Sequence, residues 1–158
     1  METTKRKKQR GVQAIPEGFH SVTPYLIVDG ASRLIEFLEN AFDAKLTDKT
    51  MTPDDRVMHA TVRIGDSLIM LSDTMEGMQT QLGMLFLYVD DVDDTFKNAI
   101  DAGGNQLREV RDEFYGDRAG SVKDEWGNTW WVATHIEDVS PAELKTRAQE
   151  AAQEQHHA

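Results

Sequence analysis

Leu26-Ile27-Val28-Asp29 and Leu87-Tyr88-Val89-Asp90 stand 61 positions apart, and taking them as two copies of one segment decides the fold. Each is a short run of β-formers closed by an acidic residue. Outward from these runs, at the same offset, Ile35 falls on Phe96 and Met70 falls on Trp131. Self-similarity at a fixed period marks a structural repeat. Both copies give the order strand, acidic turn, helix, strand and hairpin, over Pro24–Asp73 and again over Leu85–Thr134. One four-stranded sheet with one helix is marginal on its own. The expected fold is therefore α+β: two tandem βαβββ modules forming a curved, partly open sheet around a shared cleft, followed by a C-terminal helix.

Local signals place the elements. Ser21–Val28 reads as a strand with Pro24 at an edge or bulge. Ser32 is positioned to cap a helix reaching Phe42, with Leu34, Ile35, Leu38 and Phe42 on one face. Lys45–Met51 is a weaker strand, and Val57–Ile64 pairs with Ser67–Leu71 across the Gly65-Asp66 turn. Glu76–Leu82 is polar and links the copies. Met84–Val89 opens the second copy; its helix starts at Asp91 or Asp93 and ends at Gly103-Gly104. Gln106–Val110, Arg118–Lys123 and Asn128–His135 are the remaining strands. Ser140-Pro141-Ala142-Glu143 is a capping box with proline at the first helical position, and opens a helix to about Glu154. The expected organisation is a disordered basic leader at 1–14, one domain at 15–139 with modules at about 20–74 and 83–135, a helix at 140–155 and a tail at 156–158.

Composition bounds the function. The 158 residues suit one domain, and the absence of cysteine excludes disulfides, thiolate metal sites and cysteine nucleophiles. No apolar run is long enough to span a membrane, and the N-terminus lacks a signal-peptide core, so residence in the cytoplasm is expected. The net charge is −11. Lys5, Arg6, Lys7, Lys8 and Arg10 against Glu2 make the leader +4 and leave −15 on the rest. A body this acidic repels polyanions, so the folded domain is not expected to bind nucleic acid.

Five segments carry a family resemblance: Pro16-Glu17-Gly18-Phe19-His20-Ser21-Val22-Thr23-Pro24-Tyr25-Leu26, Met58-His59-Ala60, Ile64-Gly65-Asp66-Ser67, Phe114-Tyr115-Gly116-Asp117-Arg118 and Asp138-Val139-Ser140-Pro141. With the repeat, they resemble the vicinal-oxygen-chelate superfamily (glyoxalase I, extradiol dioxygenases, fosfomycin and bleomycin resistance proteins), and within it the PhnB-like branch. The resemblance implies a homodimer and a cleft for a small organic molecule. It also implies that metal enzymes of the superfamily would place ligands at Thr23, Met70, Met84 and Trp131. None of the four suits a divalent cation, which takes carboxylate oxygen or imidazole nitrogen. No metal and no other cofactor is therefore expected. Met70, Met84 and Trp131 are then either core packing or an apolar pocket floor.

Strand alternation extends the candidate site. If Thr23 points inward, so do Tyr25 and Ile27. Pairing Ile64 with Ser67 sets Thr61 opposite Met70 and His59 opposite Ser72. An even-length loop in the second copy would put Arg118, Gly120 and Val122 on the face of Trp131, with Ala133 and His135. His59 is the candidate catalytic residue, as a general base, or else a hydrogen-bonded structural histidine. Arg118 would hold an anion or pair with a nearby acid. Tyr115 would close over a ligand or anchor its loop. Three functions follow in order: metal-free binding of a small molecule, a metal-independent isomerase, epimerase or lyase using His59, and metal-dependent glyoxalase or dioxygenase chemistry.

Overall fold

A computed structural model describes residues 6–157, so the first five residues of the expected leader and the last residue of the tail lie outside it. Tyr25–Val28 forms strand β1, whose alternate residues Leu26 and Val28 are buried. It begins at Tyr25, not Ser21, because Pro24 can donate no ladder hydrogen bond. Helix α1 covers Ala31–Phe42, followed by β2 (Lys45–Met51), β3 (Val57–Ile64) and β4 (Ser67–Asp73). The second module repeats the order with β5 (Met84–Tyr88), α2 (Val92–Asp101), β6 (Asn105–Asp112), β7 (Asp117–Lys123) and β8 (Thr129–His135). Helix α3 (Pro141–His156) ends the described chain. The fold is α+β, two four-stranded mixed sheets and three helices, as expected from the repeat.

The strand orders are β1-β4-β3-β2 and β5-β8-β7-β6, with β1 parallel to β4, β5 parallel to β8 and the other pairs antiparallel. Tyr25 pairs with Met70 and Phe86 with Trp131, the same pair one repeat apart. In the first hairpin Ile64 faces Ser67 and Thr61 faces Met70, as the turn residues imply. The second hairpin departs from expectation. Lys123 pairs with Thr129 across five residues, 124–128, and Ser121 faces Trp131. An odd loop shifts the register by one, which turns every side chain of β7 to the other face.

That shift corrects three placements. Arg118, Gly120 and Val122 share the helix side with Trp130, Val132 and Thr134, and not the face of Trp131. Asp117, Ala119 and Ser121 take the open face instead. The turn is organised by Asp124, whose buried carboxylate accepts from the backbone N–H groups of Trp126, Gly127 and Asn128 and from the side chains of Asn128 and Trp130.

A second correction concerns α1. Ser32 does not cap it; the N-cap is Gly30, at φ 108°, and no side chain there caps the helix. Asp73 at the end of β4 supplies the acceptor, at 2.8 Å from Gly30 N and 2.9 Å from Ala31 N, and also takes the N–H of Val57 at 2.7 Å. In the second module Asp91 caps α2 directly.

Both helices lie on one side of the sheets and pack against each other, so a single apolar cluster runs through both modules. Trp130 is fully buried and meets Phe42 at 5.3 Å between ring centres. At the outer junction Trp126 Nε1 donates to the carbonyl of Asp29 at 2.8 Å, while Arg33 lies over the Trp126 ring and pairs with Glu125. Helix α3 begins at the expected Ser140 cap but buries none of its residues. No helix among the described residues is long and apolar enough to cross a membrane.

Candidate functional site

The faces of the two sheets turned away from the helices carry the polar and aromatic groups. On the first, the register of β1, β4 and β3 brings Tyr25, Met70 and Thr61 side by side. His59 stands between two hydroxyls: Nδ1 is 3.1 Å from Tyr25 Oη, and Nε2 is 3.2 Å from Thr61 Oγ1. Asp48 of β2 lies 3.8 Å from Nε2. A neutral imidazole donates at one nitrogen and accepts at the other, and a hydroxyl can answer either way. The ring is therefore held in place without being committed to one tautomer.

On the second sheet two cross-strand rows stand out. Phe86, Trp131, Ser121 and Arg108 form one, running from β5 to β6; Tyr88, Ala133, Ala119 and Arg111 form the next. Phe86 and Trp131 are stacked with their ring planes nearly parallel, at 10° and 6.1 Å between centres, and Phe86 meets Tyr88 at 5.2 Å with the rings tilted by 52°. Arg108 reaches back over Ser121 to lie 5.6 Å from the centre of the Trp131 ring, a cation–π contact. Arg108 and Arg111 share the carboxylate of Glu113, at 3.0 and 3.2 Å.

The end of this face is a hydrogen-bond network. The buried carboxylate of Asp117 accepts from Tyr88 Oη at 2.8 Å and meets His135 Nδ1 at 2.8 Å. His135 Nε2 meets Asp138, also at 2.8 Å. Hydrogen bonds to Asp117 and then Asp138 raise the His135 pKa above the ordinary imidazole value. The bond to Asp117 and partial burial raise that of Tyr88, which stays a donor. Burial, with Glu113 and Asp117 nearby, raises that of Tyr115.

Tyr25, His59, Thr61 and Met70 of the expected site thus share the first sheet's open face, and Trp131 lies on the second. Thr23 precedes β1, and it lines a groove of about 880 Å³ together with Met84 at the module boundary. Arg118 lies elsewhere. Its guanidinium is bound by Asp93 at the start of α2 and by Asp112, which together hold it firmly charged. Phe86, Tyr88, Arg108 and Asp117 were missed. Phe86 and Tyr88 share the parity of Met84 and were legible from it. Arg108 and Asp117 depend on the parity carried across the five-residue turn.

The residues that the resemblance aligns with the superfamily's metal positions are poor ligands for a divalent ion. Trp131 has no lone pair to offer and is engaged by Phe86 and Arg108. Met70 and Met84 offer only thioether sulfur, a soft donor.

Comparison with known proteins agrees with this architecture. The profile of the Glyoxalase/Bleomycin resistance protein/Dioxygenase superfamily matches residues 18–132. An uncharacterized protein of Mycobacterium bovis is 32% identical over 136 residues, covering 79% of this chain and 90% of that protein. Two solved structures share the fold. TioX from Micromonospora sp. ML1 has a TM-score of 0.60 at 21% identity, over 73% of this chain and 100% of that one. A PhnB protein from Bacillus cereus has a TM-score of 0.54 at 16% identity, over 73% and 99%. The chain, with its paired βαβββ modules, belongs to the glyoxalase/bleomycin resistance protein/dioxygenase superfamily.

Proposed function

We propose that this protein binds and sequesters a small organic molecule on the open faces of its sheets, without a metal ion. The observation that carries this is the aromatic cluster on the open face of the second module: Phe86 stacked with Trp131, with Tyr88 beside it. Three aromatic side chains on adjacent strands offer an apolar surface suited to aromatic guests. Met84, Tyr88 and Phe86 are 71%, 64% and 44% exposed and share one face of β5, an apolar patch of the kind that marks an interaction site. A homodimer in which a second copy roofs these faces accords with that exposure and is part of the proposal, as is residence in the cytoplasm. So is membership of the PhnB-like branch, which rests on the segments quoted at the outset.

The test is a ligand panel scored by thermal shift and tryptophan fluorescence. Planar ligands should raise the melting temperature and change the emission, and Trp131→Ala should abolish both responses while the ligand is recovered unchanged. A broad panel that moves neither signal counts against binding. Sedimentation at micromolar protein should give twice the chain mass, and a monomer would remove the dimer.

Catalysis by His59 is the alternative, and the two hydroxyls that hold its ring favour it. When a bound carbon acid displaces one hydroxyl from the accepting nitrogen, the ring can take its proton and return it to a neighbouring carbon, an isomerisation, or to the other face of the same carbon, an epimerisation. Under that scheme His59→Ala stops turnover with the fold intact. Undiminished turnover in that variant would eliminate it.

A further inference from the structure

We propose that the second module's open face selects flat organic carboxylates, that is, aryl or heteroaryl acids. The carboxylate would sit at Arg108 and Arg111, and the ring on Phe86, Tyr88 and Trp131. The inference rests on this face being the ligand surface and adds the chemical class of the ligand.

The two cross-strand rows are built alike. Each begins with an aromatic residue on β5 and ends with an arginine on β6, and between Trp131 and the arginines stand only Ser121, Ala119 and Ala133. Strands spaced by about 4.8 Å put the aromatic and cationic ends about 14 Å apart at the backbone. The intervening side chains are small, so Arg108 can cross them to reach Trp131. A flat acid need not span the whole interval, because the Arg108 guanidinium already lies 5.6 Å from the Trp131 ring centre, so ring and carboxylate can be met together.

Glu113 marks where that negative group goes. Its side chain is 8% exposed, and its only side-chain partners among the described residues are these two arginines. Arg108 offers Glu113 one nitrogen and Arg111 offers its Nε. Two guanidiniums on one carboxylate leave donors for a second. A planar fork matches a carboxylate edge to edge. A phosphate dianion on the same face would lie near Glu113 and the buried Asp117, and repulsion disfavours it. The chain's net charge of −11 slows the approach of any anion from a distance, and added salt should therefore raise the association rate. The arginine pair sets affinity once contact is made.

Calorimetric titration of the full chain with a series of one- to three-ring aryl acids and their uncharged primary amides tests this. The acids should bind about tenfold tighter than the matching amides. Arg108→Gln and Arg111→Gln should each cut that preference several-fold, with melting temperature reporting the fold. Arg108→Lys, which keeps the charge and loses the fork, serves if the glutamine variant does not fold; it should retain part of the preference. Glu113→Gln should tighten the acids several-fold, since it removes the competing carboxylate. Acids and amides binding equally well would overturn the carboxylate selection and leave the face as a ligand surface. An acid preference undiminished in both arginine variants would also overturn it. Binding of neither series would remove the ligand surface itself.

Discussion

Asp73 does for α1 what no residue of that helix does. Its carboxylate comes from the last strand of the module and takes the N–H groups of Gly30 and Ala31. One repeat later, Thr134 stands at the matching place on β8 and accepts the N–H of Val92 at 2.9 Å. The repeat therefore conserves a helix start held from outside the helix, with a charged acceptor in one copy and a hydroxyl in the other. Burial opposes the charge on Asp73, but the bonds from Ala31, Val57 and Gly30 prevail and hold its pKa below the usual carboxylate value. Its stabilisation is accordingly present above the ordinary carboxylate pKa and is lost as pH falls through the lower, folded value. Asp73→Asn should cost about 1–3 kcal/mol in urea unfolding at pH 7. The gap from the parent protein should narrow at pH 3, and a gap that does not change with pH would refute the charge as its cause. His135 has the opposite sign. Its pKa is raised by Asp117 and Asp138, so its contribution is complete below the ordinary imidazole value and fades as pH rises through the folded one. An NMR titration should place its midpoint above the ordinary imidazole value.

At the scale of the element, the turn at 124–128 matters most. Asp124→Ala would leave three backbone N–H groups, the Asn128 amide and the Trp130 indole without their acceptor. The loss should be at least about 3 kcal/mol by denaturant unfolding, since buried donors left unpaired cost about 1–3 kcal/mol each. Helix α3 is the counterpart with little at stake. It is tied to the body by Arg147, which meets Glu137 at 2.7 Å and the carbonyl of Phe114 at 3.3 Å. Arg147→Ala should speed hydrogen exchange in α3 while the melting temperature of the body hardly moves. These elements mark the limit of what could be read in advance. Both modules, nearly all the strands and the α3 cap were legible because periodicity, turn residues and the capping box act over a few neighbouring positions. The first hairpin was legible to the single residue, since Gly65-Asp66 dictates a two-residue turn. The second was not, because its length is set by a buried carboxylate that gathers distant donors, and with it went the facing of Arg118. The Asp73 cap was hidden for the same reason, 42 positions along the chain from Ala31.

The whole molecule is one cooperative unit by this account. Phe42 of the first module packs on Trp130 of the second, and α1 packs on α2. Phe42→Ala should lower stability by about 3–5 kcal/mol and keep a single unfolding transition. Two resolved transitions in calorimetry would show modules that melt independently. The Arg33–Glu125 pair at the same junction is exposed, and its removal should shift the midpoint only slightly. The five-residue turn has one more consequence. Ser121 faces Trp131 as Thr61 faces Met70 one repeat earlier, so β7 and β3 look the same way although the turns that follow them differ in length. The extra length is absorbed within the turn, with Asp117 and Ser121 on the open face and Arg118 on the helix side. A turn held together by one buried carboxylate can thus change the spacing of a repeat and leave the two faces of the strand before it as they were.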